Sequence, residues 1–188
     1  MAESGSKKVI LINGLPATGK TMLARRIQAE MQIPLLSLDT IKEALFDVLG
    51  IGDREYNRKL GRATKQVIWS VIGDLPDGAT VLVDAWFGFP PYTQVTDGLA
   101  RAGASRAVEL WCHAPGELLA QRYVERVDQR HKGHPGREYA AELIEVAKRA
   151  TPMGLFPVYD LEMSHPEQIE VLQVVNWIEG EFAEKAVK

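Results

Sequence analysis

Gly14-Leu15-Pro16-Ala17-Thr18-Gly19-Lys20-Thr21 has the spacing G-x-x-x-x-G-K-[ST], whose residue types suit a bound polyphosphate. Glycines let the backbone wrap closely around phosphate oxygens. The amides of the loop, including those of Ala17 and Thr18, and the start of a following helix present positive potential to them. Lys20 can reach the β- and γ-phosphates, and Thr21 can place its hydroxyl on Mg²⁺. The flanks fit this chemistry. The apolar run Val9–Ile12 precedes the loop, and the helix-like stretch Met22–Ile27 follows it.

Further chemistry-bearing residues follow in chain order. Asp39 stands where an apolar run ends and a helix begins. Thr40-Ile41-Lys42-Glu43 is a capping box, which leaves Asp39 free to orient or deprotonate a hydroxyl; the plainer alternative is that Asp39 itself is the cap. Lys42 can meet an anionic acceptor, although a solvated helix lysine is the ordinary expectation. Val81-Leu82-Val83-Asp84 is an apolar strand ending in a carboxylate, a position that suits a second contact to Mg²⁺ through water. The aromatic loop Trp86–Tyr92 either lines an acceptor pocket, with Trp86 and Phe87 foremost, or packs onto the sheet. Asp53–Arg58 and Arg62 add polar groups from the facing side.

Arg122, Arg126 and Arg130 repeat at i, i+4, i+8 and run into Arg130–Arg137, a Gly/Pro/His-rich break with the composition of a lid over about residues 129–137. Arg122 reads as a solvated edge, whereas Arg126 and Arg130 can neutralise charge on a transferring phosphoryl group. His131 and His134 lack the companions a metal site needs and belong to the lid.

These residues need a scaffold that gathers strand ends. Strand-like runs occupy Lys8–Asn13, Pro34–Leu38, Ala79–Asp84, Arg106–Cys112 and Pro157–Glu162. Helical patterns occupy Lys20–Met31, Ile41–Leu49, Tyr56–Gly73, Tyr92–Ala102, Pro115–Gln129, Arg137–Ala150 and Pro166–Phe182. The alternation predicts an α/β fold with a mostly parallel five-stranded sheet, helices on both faces, and ligands at the strand C-termini; together with the Gly14–Thr21 motif the expectation is a three-layer phosphate-loop NTPase fold. Residues 1–188 read as one domain, with residues 1–7 expected to be a disordered tail.

Composition narrows the partners. The net charge of −3 supplies no broad basic field for a long nucleic acid. A lone Cys112 at the end of an apolar strand excludes a disulfide framework and fits a core residue of a reducing, cytoplasmic compartment. No apolar run approaches the length of a membrane span.

In these motifs the chain resembles small phosphate-loop kinases, nearest to the group of chloramphenicol phosphotransferase, zeta-toxin-type kinases and polynucleotide kinase. The resemblance rests on Gly14–Thr21, Leu38–Glu43, Val81–Phe87 and Arg122–Gly136. It implies that Asp39 binds or deprotonates the acceptor hydroxyl and that Arg126 and Arg130 contact nucleotide phosphates. Lys42 is similar to a basic residue that follows the corresponding Asp in polynucleotide kinase. The expected activity is ATP- and Mg²⁺-dependent transfer of a phosphoryl group to a hydroxyl of a small molecule, by a monomer or homodimer. The rivals are a nucleic-acid 5′-hydroxyl kinase, which the acidic balance opposes, and a nucleotide-binding regulatory switch.

Overall fold

The computed structural model describes residues 6–184. Five strands form one fully parallel sheet in the order β2-β3-β1-β4-β5: β1 is Lys7–Gly14, β2 Leu35–Ser37, β3 Thr80–Ala85, β4 Ala104–His113 and β5 Val158–Glu162. β1 lies at the centre, with Leu11 opposite Val83 on one side and Glu109 on the other. Its apolar run Val9–Ile12 is wholly buried, as expected of a parallel strand covered on both faces.

Successive residues of β1 feed two separate cores, because strand side chains alternate between faces. Ile10 and Ile12 pack with Leu23 and Ile27 of α1 (Lys20–Met31), Leu119 and Tyr123 of α5 (Gly116–Arg126), Leu143 of α6 (Tyr139–Ala147) and Ile178 of α7 (Val171–Glu184). Val9 and Leu11 pack with Ile68, Trp69 and Ile72 of α3 (Arg54–Asp74) and with Val95 and Leu99 of α4 (Thr93–Arg101). The remaining helix, α2 (Leu38–Leu49), follows β2 without a connecting loop. Cys112 belongs to the first core, and burial pushes its thiol up to about 12, which makes it inert as a nucleophile at neutral pH.

Three sequence expectations are corrected here. α2 begins at Leu38 with Ser37 in the cap position, so Thr40 lies inside the first turn and its capping box does not form. Pro166–Gln168 is a separate short 3₁₀ turn, and the last helix starts at Val171. Of the expected tail, residues 1–5 lie outside the described residues, but Lys7 is buried in β1 and donates to Gly73 O at 2.6 Å and Ala102 O at 3.1 Å. Among the described residues no helix is long and apolar enough to cross a membrane.

Candidate active site

The loop between β1 and α1 is shaped by backbone constraints at two glycines and one alanine. Gly14 has φ 156°, and a Cβ there would overlap the carbonyl oxygen of Cys112. Gly19 has φ 92° and packs against Pro166, so a side chain at this position would be both strained and obstructed. Ala17 adopts φ 70°, a left-handed conformation that a non-glycine residue holds at a cost of about 1 kcal/mol. Thr18 is fully buried and its hydroxyl donates to Leu15 O at 3.0 Å, which ties the loop back on itself. Among the described residues no side chain caps α1; the Met22 and Leu23 amides bond back to Gly19 O at 3.0 and 3.2 Å, and no side-chain acceptor competes with an anion for the amides before them. Lys20 curls over the loop, its Nζ 3.4 Å from Leu15 O.

Asp84 ends β3 beside this loop, 3% exposed. Its Oδ2 accepts from Thr21 Oγ1 at 2.7 Å and from Ser37 Oγ at 3.4 Å, while its buried Oδ1 has no hydrogen-bond partner. A buried carboxylate oxygen without a partner is costly unless something polar or charged completes it. The pair Thr21–Asp84 is therefore a donor set that fits Mg²⁺, a hard cation that takes few protein oxygens and keeps several waters.

Asp39 sits in the first turn of α2, its side chain about half exposed into a cleft of about 690 Å³ at the strand C-termini. Lys20, Ser37, Lys42, Arg62, Asp84, Trp86 and Arg130 line the same cleft. Burial opposes ionisation of Asp39, but Lys20, His134, Arg130 and Lys42 outweigh it and hold the carboxyl below its ordinary range. Arg130 Nη2 lies 3.3 Å from Asp39 Oδ2. Lys42 departs from the solvated lysine of the sequence reading. It is 8% exposed, donates to Asn57 Oδ1 at 2.5 Å and lies over the Phe46 ring.

The stretch expected to be a lid is an irregular segment from Arg130 to Glu138, after a 3₁₀ turn over Val127–Gln129. It is docked across α2 and α3. His131 stacks on Phe46 and meets Asp47 at 3.1 Å; His134 meets Glu43 at 2.7 Å; Asn57 Nδ2 donates to Gly133 O. A Cβ at Gly133 would overlap the Phe46 ring, so this glycine lets the segment lie flat on α2. Both histidines are thus used in contacts with α2, each against a carboxylate of that helix. Arg126 lies outside the lining of the cleft; burial and the neighbouring Arg130 press its guanidinium downward in pKa, and its buried Nε has no partner.

The aromatic loop divides between its two readings. Trp86 lines the cleft and meets Phe89 and Trp111 at ring distances of 5.6 and 6.1 Å. Phe87 does not line it: at 7% exposure it packs in the second core against α3 and α4, which removes it from the acceptor-facing set.

The family model described as AAA_33, AAA domain, matches residues 9–149. The chain belongs to that family. Its fold is that of the phosphate-loop kinases. A provisionally named kinase from Chloroflexus aurantiacus is 28% identical, with TM-score 0.79 over 95% of this chain and 99% of its own. Kti12 from Chaetomium thermophilum, solved with ADP-AlF3, is 17% identical with TM-score 0.64 over 93% of this chain and 99% of its own. Shikimate kinase from Bacteroides thetaiotaomicron is 18% identical with TM-score 0.58 over 91% and 98%. No curated protein sequence matches the chain.

Several residues of this AAA domain carry structure at the site that its sequence pattern does not announce. Lys65 on α3 lines the cleft, and burial with Lys42 nearby lowers its ammonium to about 8. Arg58 and Lys65 flank Arg62 on one helical face, a spacing of i, i+4, i+7 that is visible in the sequence once α3 is placed. Glu109, wholly buried in β4, accepts from Asn13 Nδ2 at 2.7 Å and from the Met153 amide at 2.9 Å; burial raises its carboxyl above the usual value. Its signal was a single acid inside the apolar strand Ala107–Cys112. Arg122, expected on a solvated edge, instead donates to Met163 O at 2.8 Å and Ser164 O at 2.6 Å. Arg137 pairs with Asp128 on the surface.

Proposed function

We propose that this protein is an ATP- and Mg²⁺-dependent kinase that moves the γ-phosphoryl group of ATP to a hydroxyl of a small molecule. The observation that carries the reading is the placement of the ionised Asp39 in a cleft that it shares with Lys20 of the phosphate loop and with Asp84. A donor pocket without an acceptor pocket would suit a switch. Here the phosphate loop, through Pro16 and Lys20, opens onto a cleft of about 690 Å³, within the range of small-molecule sites.

In this reading Gly14, Ala17, Thr18, Gly19, Lys20 and Thr21 cradle the triphosphate, and Thr21 with Asp84 holds Mg²⁺. The cation, when bound, neutralises charge on the β- and γ-oxygens. Lys20 stabilises the charge that develops on the transferring group, and Arg130, with Arg126 behind it, adds positive potential from the lid side. Asp39 accepts a hydrogen bond from the acceptor hydroxyl and points its oxygen at phosphorus. Its lowered pKa suits an orienting acceptor better than a strong base, and phosphoryl transfer through a loose transition state asks for little proton abstraction before bond formation. Trp86, Arg62 and Lys42 bound the acceptor volume. The docked lid excludes water, which would otherwise serve as the acceptor.

The test is a screen of hydroxyl compounds with γ-labelled ATP, wild type beside Lys20→Ala. A kinase shows acceptor-dependent transfer that the variant lacks. Turnover that no acceptor stimulates would overturn the reading in favour of a regulatory nucleotide switch. The finer likeness to chloramphenicol phosphotransferase, zeta-toxin-type and polynucleotide kinases enters only as a guide to the first compounds tried.

A further inference from the structure

Resting on the kinase reading above, we propose that the acceptor is an anionic alcohol, and that Lys42, Arg58, Arg62 and Lys65, arrayed around Gly61, hold its carboxylate or phosphate. All four cations and Gly61 line the cleft that contains Asp39. Arg58, Arg62 and Lys65 share one face of α3, and Lys42 reaches the same wall from α2, its Nζ 3.9 Å from where a Cβ of Gly61 would stand.

Two independent features single out this wall. The first is an excess of positive charge over negative. The acids nearby are already engaged: Asp53 caps α3 at 2.8 Å, Glu142 pairs with Arg54 at 2.5 Å, and Glu138 accepts from the Gly136 amide at 2.9 Å. Among the described residues, Arg58, Arg62 and Lys65 form no ion pair with an acid; Lys42 donates to the neutral Asn57 amide oxygen and is felt by the Asp39 carboxylate without pairing with it. Burial and the proximity of Lys42 depress the Lys65 ammonium, so an anion placed between the two lysines would relieve their repulsion.

The second feature is Gly61 itself. Glycine within a long helix is unfavourable relative to alanine. Gly52, Gly98 and Gly133 are explained by rings that a Cβ would strike, but at Gly61 the nearest atom of the protein is the flexible end of Lys42. The space is kept open toward the cleft rather than filled by packing. A small cradle floored by bare helix backbone and rimmed by four cations is the chemistry that recognises a carboxylate or phosphate group.

The experiment has two readouts. Acceptor-dependent ADP release is measured for alcohols supplied in neutral, carboxylated and phosphorylated forms, with glucose, gluconate and glucose 6-phosphate among them. Separately, the acetylation rate of Lys65 is followed by peptide mass with a non-hydrolysable ATP analogue and Mg²⁺ filling the phosphate loop. We expect anionic forms to exceed neutral ones at least tenfold in kcat/KM, and to protect Lys65 at least fivefold where neutral forms do not. Which anionic form works assigns carboxylate or phosphate. Arg62→Ala with Lys65→Met should raise the acceptor KM at least tenfold with the KM for ATP unchanged. Gly61→Leu should raise thermal stability while abolishing the protection, a divergence that a merely structural glycine would not give. Equal use of neutral and anionic forms, or unchanged Lys65 labelling with every anion, overturns the cradle. Protection of Lys65 without any acceptor-dependent turnover keeps the cradle and refutes the kinase.

Discussion

Replacing Asp39 by Asn removes one charge from the centre of the cleft with almost no change of volume. Three consequences can be worked from the geometry. The first concerns stability. Asp39 is not the cap of α2, so no capping bond is lost. What is lost is a favourable charge in the first turn of a helix and a partly exposed pair with Arg130, together worth roughly 1 kcal/mol, or about 2–4 °C in Tm for a chain of this size. The second concerns pH. The folded pKa is depressed, so the carboxylate's contribution is complete above the unfolded value near 3.8 and disappears as pH falls through the folded value. Wild type and variant should therefore differ by a constant amount from about pH 5 upward and converge in acid. The third concerns rate. An orienting hydrogen-bond acceptor should cost roughly tenfold to a hundredfold in transfer, whereas a general base would cost about a hundredfold to ten-thousandfold. The assay is acceptor-dependent ADP release from pH 5 to 8, with thermal unfolding on the same preparation and ATP affinity as control. Unimpaired transfer by a stably folded Asp39→Asn protein would refute the role assigned to this residue.

Lys20→Ala should lower phosphoryl transfer by at least about a hundredfold while leaving circular dichroism and Tm near wild type, because among the described residues its ammonium makes one long hydrogen bond, to the loop carbonyl of Leu15. Gly14→Ala should destabilise the fold by about 3 kcal/mol in urea unfolding, since the new methyl would overlap the Cys112 carbonyl. Lys65→Met should raise stability at pH 7, because its ammonium titrates near 8 when folded and near 10.5 when unfolded; the folded state then binds fewer protons, and the gain should fade between pH 8 and 10.5, which Tm measured across that range checks. Glu43→Gln weakens the contact with His134 that fastens the lid, so amide exchange across 131–136 should quicken without loss of ATP affinity.

The phosphate loop, the parallel sheet and the seven helices of the described residues were legible because each rests on local pattern: apolar runs, helical periodicity and a fixed glycine spacing. The start of α2 was not. Thr40–Glu43 satisfies the capping-box pattern, but β2 is only three residues long and runs straight into the helix, so tertiary placement of the strand end set the cap at Ser37. Lys42 was legible in type and not in setting. Phe46, four residues on in α2, is a neighbour that helical spacing does show, but the contact with Asn57 on α3 is a relation between segments that no spacing within α2 reveals. Phe87 fell on the core side for a similar reason, because the chain leaving β3 turns one aromatic to the cleft and the next to α3.

Arg26 on α1 donates to Pro166 O and Ile169 O, and Arg122 on α5 to Met163 O and Ser164 O, while Pro166 itself rests against Gly19. The segment after β5 is thus clamped by its carbonyls, whatever side chains it carries, and it buttresses the loop formed by the first strand and helix. During synthesis the phosphate loop is made well before its brace, which emerges only after β5. A nascent chain that ends before Met163 leaves two guanidinium groups without their acceptors and Gly19 without its wall. Nucleotide affinity should therefore be acquired late and in one step as the chain lengthens, rather than growing in proportion to the sheet already formed.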